Sequence, residues 1–163
     1  MEDLDLEEVF VLENDVIPNQ WNMNLFEQLT SLEGRINRLR YILLTLLSFP
    51  IMILIFIPNL IISIFIPEIL WPILDMIFYS PVVYILYSIT IKRLYDTGRS
   101  GGWILYAQIY SVLLLLYLIS PIGSDIEFLL DVVTTIFGFP LGIVCLFFKG
   151  DIGDNEHGPD PLA

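Results

Sequence analysis

The chain has 163 residues, of which 56% are hydrophobic and only 16% charged; soluble domains carry roughly 25% charged residues. The apolar excess is gathered into two blocks. Residues 41–91 hold two charges, Glu68 and Asp75, and residues 103–148 hold three, Asp125, Glu127 and Asp131. One soluble domain cannot hide two such blocks, which argues against a water-soluble enzyme, a secreted domain or a disordered chain. The net charge of −12 disfavours nucleic acid, whose phosphates need clustered Lys and Arg. The single cysteine, Cys145, excludes an intrachain disulfide.

The composition predicts an all-α polytopic membrane protein. Residues 1–23 read as an acidic cytoplasmic extension and residues 24–161 as the membrane domain. The opening MEDLDLEE is acidic, so no secretory signal is expected there. Residues 1–33 contain nine acids and no base, interrupted by the apolar Val9-Phe10-Val11-Leu12.

From Asn24 the pattern changes. Leu25, Leu29, Leu32, Ile36 and Leu39 recur at spacings of three and four, which places them on one helical face. Asn24 with Glu27, or Thr30 with Glu33, offers a cap, and Gly34 a break. Two readings fit: a short interfacial helix before the first span, or a cytoplasmic extension of that span. In the first, Arg35, Arg38 and Arg40 are candidate lipid-phosphate contacts.

A helix needs about 20 apolar residues to cross the hydrocarbon. Each block is long enough for two. The first breaks near Pro67 and Pro72, the second at SPIGSD, residues 120–125. Four spans follow, about 41–66, 70–91, 103–120 and 126–148, with a cytoplasmic loop 92–102 and a Gly/Pro/Asp-rich tail 149–161. All seven basic residues then fall on one side. By the positive-inside rule both termini are cytoplasmic. Pro50, Pro58, Pro81 and Pro140 lie within spans, where they shape packing or serve gating.

Loop and tail carry complementary charge and emerge on the same side. Lys92, Arg93, Asp96 and Arg99 are expected to form a structural latch with Asp151, Asp154 and Asp160. Ser100 is expected to cap the third span. Gly98-Arg99-Ser100-Gly101-Gly102 formally matches G-x-S-x-G. A serine hydrolase needs that run on a strand-to-helix elbow with a histidine beside it, whereas here it lies between two spans. The sole histidine, His157, sits in the tail. No enzyme is expected. The acids of DIGDN lack the spacing of a calcium loop, so no metal or cofactor is expected. Asp131, with Thr134 and Thr135, is a candidate intramembrane polar site.

SLEGRINRLRY before the first span, KRLYDTGRSGGW between the second and third, and GDIGDNEHGPDP after the fourth resemble three signatures of one family. It is the domain of unknown function 805 family of small bacterial inner-membrane proteins, and the resemblance runs from about residue 30 to residue 161. It implies a compact multi-span bundle and brings no activity. The chain departs from the pattern in its acidic extension and in Tyr95, where histidine is more usual.

The expected function is that of a non-enzymatic inner-membrane interaction, envelope or accessory component. Its partners are the lipid bilayer and a membrane or cytoplasmic protein; oligomeric state is left open. One alternative is a small transporter or channel subunit with Asp131 on its path. Another is an inhibitor or immunity protein acting through the acidic extension.

Overall fold

The computed structural model describes residues 23–121 and 123–162. Expectations about the acidic extension before Met23 lie outside the described residues. The fold is all-α: α1 (Leu25–Thr30), α2 (Arg38–Ser63), α3 (Trp71–Asp96), α4 (Gly102–Leu118) and α5 (Asp125–Phe147), with a 3-10 turn, Glu68–Leu70, leading into α3. Among the described residues no strand forms; Asn155 and Gly158 make an isolated antiparallel bridge.

Local chemistry sets the helix starts. Asn24 and Glu27 form the reciprocal capping box of α1, each backbone N–H bonded to the other's side chain at 2.9 Å. Asn37 Oδ1 accepts from Arg40 N at 2.8 Å and starts α2 three residues before the expected boundary. Ser124 Oγ accepts from Glu127 N at 3.1 Å and starts α5. Gly101, not Ser100, stands at the start of α4, with φ +58 and no side-chain cap.

Gly34 does break the Leu25–Leu39 series, which is not a helical extension of the first span. α1 stops at Thr30, Ser31 is extended, and Gly34 takes φ +85, so the chain turns before α2. One expectation is corrected here: the basic segment after the second span is not a loop. α3 runs on to Asp96, because Lys92 and Arg93 find oxygen partners within the fold. The connection shrinks to residues 97–101.

Three helices are long and apolar enough to cross a membrane: Arg38–Ser63, Glu68–Asp96 and Asp125–Phe147, with hydropathies of 2.4, 1.8 and 2.1. The fourth, Gly102–Leu118, is apolar but has 17 residues. Most of their apolar surface points outward. Only 11%, 11% and 22% of the most apolar windows of the three long helices are buried, which is the distribution a lipid solvent requires.

α2, α3, α4 and α5 pack as successive neighbours, and α3 touches all the other helices. Trp71 Nε1 donates to Ser63 O at 3.2 Å and Asn59 Nδ2 to Asp75 Oδ1 at 2.7 Å, closing the α2–α3 hairpin. The buried core lies at the opposite, basic end. Ile91, Leu94, Ala107, Leu141, Val144 and Cys145 form one cluster; Leu29, Ile36, Leu44 and Ile89 form the other.

Candidate functional site

The most densely bonded region lies where the end of α3 meets the segment before α2 and the tail. Asp96, the last residue of α3, is 2% exposed. Its Oδ1 accepts from Arg35 Nη2 at 3.2 Å and its Oδ2 from Arg93 Nη1, one turn earlier. Both arginines are 1% exposed. Removing charges from water costs several kcal/mol per ion, so two guanidiniums around one carboxylate need further acceptors. Backbone carbonyls supply them.

Arg35 holds the tail. Its Nη1 donates to Gly153 O at 2.7 Å and Gly158 O at 3.3 Å, and its Nη2 to Asp151 O at 2.8 Å. Arg93 holds the end of α5: Nε donates to Cys145 O at 2.9 Å and Nη2 to Phe148 O at 2.6 Å. Arg38 adds weaker bonds to Phe147 O and Phe148 O, at 3.3 and 3.5 Å. The last carbonyls of a helix lack intrahelical partners and carry partial negative charge, so cations are favoured there.

Lys92 does the same for α1. It is fully buried, and its Nζ donates to Gln28 O at 2.5 Å, Ser31 O at 2.8 Å and Glu27 O at 3.5 Å. Tyr84 OH bonds Thr30 O at 2.9 Å and Ser88 Oγ bonds Ser31 O at 2.5 Å. Tyr84, Ser88 and Lys92 are spaced four apart and form one stripe down α3.

The tail is folded on itself. Asp160 accepts from Gly153 N and Leu162 N, both at 2.8 Å, and Asp154 Oδ1 accepts from Asp160 N at 2.9 Å. The N–H groups of Leu162 and Gly153 hold the Asp160 carboxyl below the usual carboxylate range. Asn155 Nδ2 donates to Tyr95 O at 3.2 Å, and the His157 ring stacks on Tyr95 at 3.8 Å. Asp151 N donates to Asp96 O at 2.7 Å. Two glycines make this approach possible. A Cβ on Gly150 would collide with the Asp96 carboxylate, and one on Gly98, which has φ +65, with that of Asp151.

The structure thus brings helix end and tail together, but not through the expected charge pairs. Among the described residues, Asp151, Asp154 and Asp160 make no ion pair with Lys92, Arg93 or Arg99. Asp154 and Asp160 bond tail N–H groups, while the buried cations take carbonyls and Asp96. Arg99 donates to Thr97 O at 3.0 Å and lies over the Phe148 ring at 4.1 Å.

The residue missed in the latch is Arg35. Its assignment to lipid phosphate is corrected, because its side chain is enclosed by tail and α3. The available signal was its place beside Gly34, between Leu32 and Ile36 of the apolar series but not on their face. Arg40 Nε donates to Gln28 Oε1 at 2.7 Å. Arg38 is exposed and lines a cleft of about 330 Å³ with Lys149, Arg93, Asp96, Asp151 and Asp160. The intramembrane trio is split: Thr134 is buried, whereas Asp131 and Thr135 are exposed on the outside of α5.

The G-x-S-x-G run occupies the turn between α3 and α4 and the first residue of α4, with Ser100 exposed. No curated protein and no solved structure matches the chain. A family model does, over residues 29–159, a stretch that includes Arg35, Arg93, Asp96 and the tail glycines. The chain therefore belongs to the family described as Protein of unknown function (DUF805).

Proposed function

We propose that the protein is a four-span component of the bacterial inner membrane, with both termini in the cytoplasm, and that it acts as an interaction or accessory protein without chemistry of its own. Topology is argued from charge: all seven basic residues fall at or beyond the same helix ends. α4 spans despite its 17 residues by local thinning of the bilayer. α1 lies at the inner interface, with Leu25 and Phe26 exposed toward lipid.

The observation that carries this reading is how the buried charges are used. Arg35, Lys92 and Arg93 bind main-chain oxygens of α1, α5 and the tail. Their bonds build a rigid cap, and its exposed rim, including Glu33, Lys149, Asp154 and Glu156, is the face a protein partner would read. The transport alternative has less support, because Asp131 faces outward from α5.

The test is photo-crosslinking in native membranes from probes at Glu33 and Glu156, read by mass spectrometry. A reproducible adduct in the wild type, lost in Arg35→Ala while that variant remains membrane-inserted, is the expected result. Adducts unchanged by Arg35→Ala, or none from either probe, would overturn the cap as a binding face.

A further inference from the structure

The cleft that Arg38 and Lys149 line, about 330 Å³, lies where α2 begins and α5 ends. Small-molecule sites span about 300–1,000 Å³. Part of its lining is already paired, because Arg93 and Asp96 bond each other within the cap. Four charged side chains remain on its walls, Arg38 and Lys149 against Asp151 and Asp160. Among the described residues none of these four forms an ion pair.

Their bonding is unfinished. Lys149 and Asp151 are exposed, and among the described residues neither side chain makes a hydrogen bond. Arg38 has only its long contacts to Phe147 O and Phe148 O, at 3.3 and 3.5 Å. Asp160 gives one oxygen to Gly153 N and the other to Leu162 N, and each oxygen keeps a further lone pair. Two cations and two carboxylates that share a cleft without meeting suit a molecule that carries both signs. A plain anion would face the carboxylates, and a plain cation the bases. An apolar track leaves the same cleft. Leu39 lines it, and Leu43 and Leu46 follow at spacings of four and three, all three exposed on one face of α2.

The geometry points to a phospholipid site whose headgroup joins a phosphate to a primary ammonium, as in phosphatidylethanolamine. The phosphate lies on Arg38 and Lys149, the ammonium on Asp151 and Asp160, and an acyl chain runs along Leu39, Leu43 and Leu46. The inference rests on the membrane reading above, which puts these helix ends at the inner bilayer surface. Arginine and lysine hold phosphate by charge-assisted bonds. A primary ammonium offers N–H donors to carboxylates. The methylated ammonium of phosphatidylcholine offers none, and the head of phosphatidylglycerol has no positive charge.

Native mass spectrometry tests the site on the full chain, delipidated in detergent and titrated with these three lipids at one acyl composition. Phosphatidylethanolamine should be retained most tightly. Lys149→Gln and Asp151→Asn should each raise its Kd about tenfold or more, as loss of a charge-assisted bond implies. The variants should diverge on phosphatidylglycerol: Lys149→Gln weakens it too, whereas Asp151→Asn leaves it unchanged or tighter. A structural role alone would shift all three lipids alike. Neither side chain bonds to the fold, so both variants should insert, and each stands in for the other where one does not. Equal affinity for the three lipids, or wild-type affinity for phosphatidylethanolamine in either variant, would overturn the site. Soluble glycerophosphoethanolamine separates head from lipid: competition as strong as that of the lipid itself overturns the lipid as the source. Carbonate extraction separates this inference from the reading beneath it. Release into the soluble fraction defeats the membrane assignment, whereas retention without preference for phosphatidylethanolamine defeats the site alone.

Discussion

Arg35 and Asp96 stand 61 positions apart and meet as a buried pair, Nη2 to Oδ1 at 3.2 Å. Arg93 completes the group from the other side of the carboxylate. Asp96→Asn leaves two buried guanidiniums without their counter-ion, and removing one partner of a buried pair costs about 3–5 kcal/mol. A loss of that size is expected in the denaturant unfolding of the detergent-solubilised protein. Arg35→Lys should recover only part of what Arg35→Ala loses. A single ammonium cannot span Asp96 and the carbonyls of Asp151 and Gly153 as the planar fork does. Full recovery by lysine would show that charge alone suffices.

The glycines divide by what surrounds them. Gly150→Ala drives a methyl into the Asp96 carboxylate, whereas a Cβ on Gly102, at the start of α4, meets nothing within 4 Å. Limited proteolysis should therefore release the tail early in Gly150→Ala and at the wild-type rate in Gly102→Ala. The latter should gain about 0.4–1 kcal/mol, as compatible Gly-to-Ala changes do. Equal protection of both variants would remove the close approach of tail and Asp96 as a structural requirement.

Tail order should fall in acid through Asp160. Its folded carboxyl titrates below the ordinary range because Leu162 and Gly153 donate to it. A depressed folded pKa contributes stability above the unfolded value, about 3.9. That contribution is lost as pH drops from there through the folded value. Amide exchange at Gly153 and Leu162 should accelerate over this window in the wild type. It should be fast and nearly pH-independent, beyond the intrinsic exchange rate, in Asp160→Ala. A wild-type profile that stays flat through the window would assign the tail's order to Arg35 alone.

Topology has its own readout. With Cys145 replaced by Ala, single cysteines at Glu68 and Ser100, both exposed, should react with an impermeant maleimide from opposite sides of oriented membranes. Ser100→Cys labels from inside and Glu68→Cys from outside. Same-side labelling would break the four-span arrangement.

The helices were legible because lipid imposes a simple rule: long apolar runs with charges at their ends. That rule also misled. Lys92 and Arg93 read as the end of a span, yet carbonyls from α1 and α5 satisfy them and let α3 continue to Asp96. The Asn24–Glu27 cap was readable because both partners lie within one turn. The break at Gly34 was readable too, because glycine takes a positive φ without strain, whereas periodicity is blind to the stop at Thr30 and the extended Ser31. Loop and tail were matched from charge, but the bonds that join them use main-chain oxygens, which no side-chain pattern advertises. Arg35 was hidden for the same reason, and because its carboxylate partner lies two spans of sequence away.

Arg35 also has a place in time. Its acceptor Gly153 lies 118 residues downstream. At translation rates of about 5–20 residues per second, Arg35 is added to the chain roughly 6–24 s before that carbonyl is made. During this interval α2 and α3 can insert and pair, yet the guanidinium that belongs in the interior has only part of its final set of acceptors. A nascent chain stopped before residue 151 would hold every long helix and still leave Arg35 without the three tail carbonyls that enclose it in the finished protein.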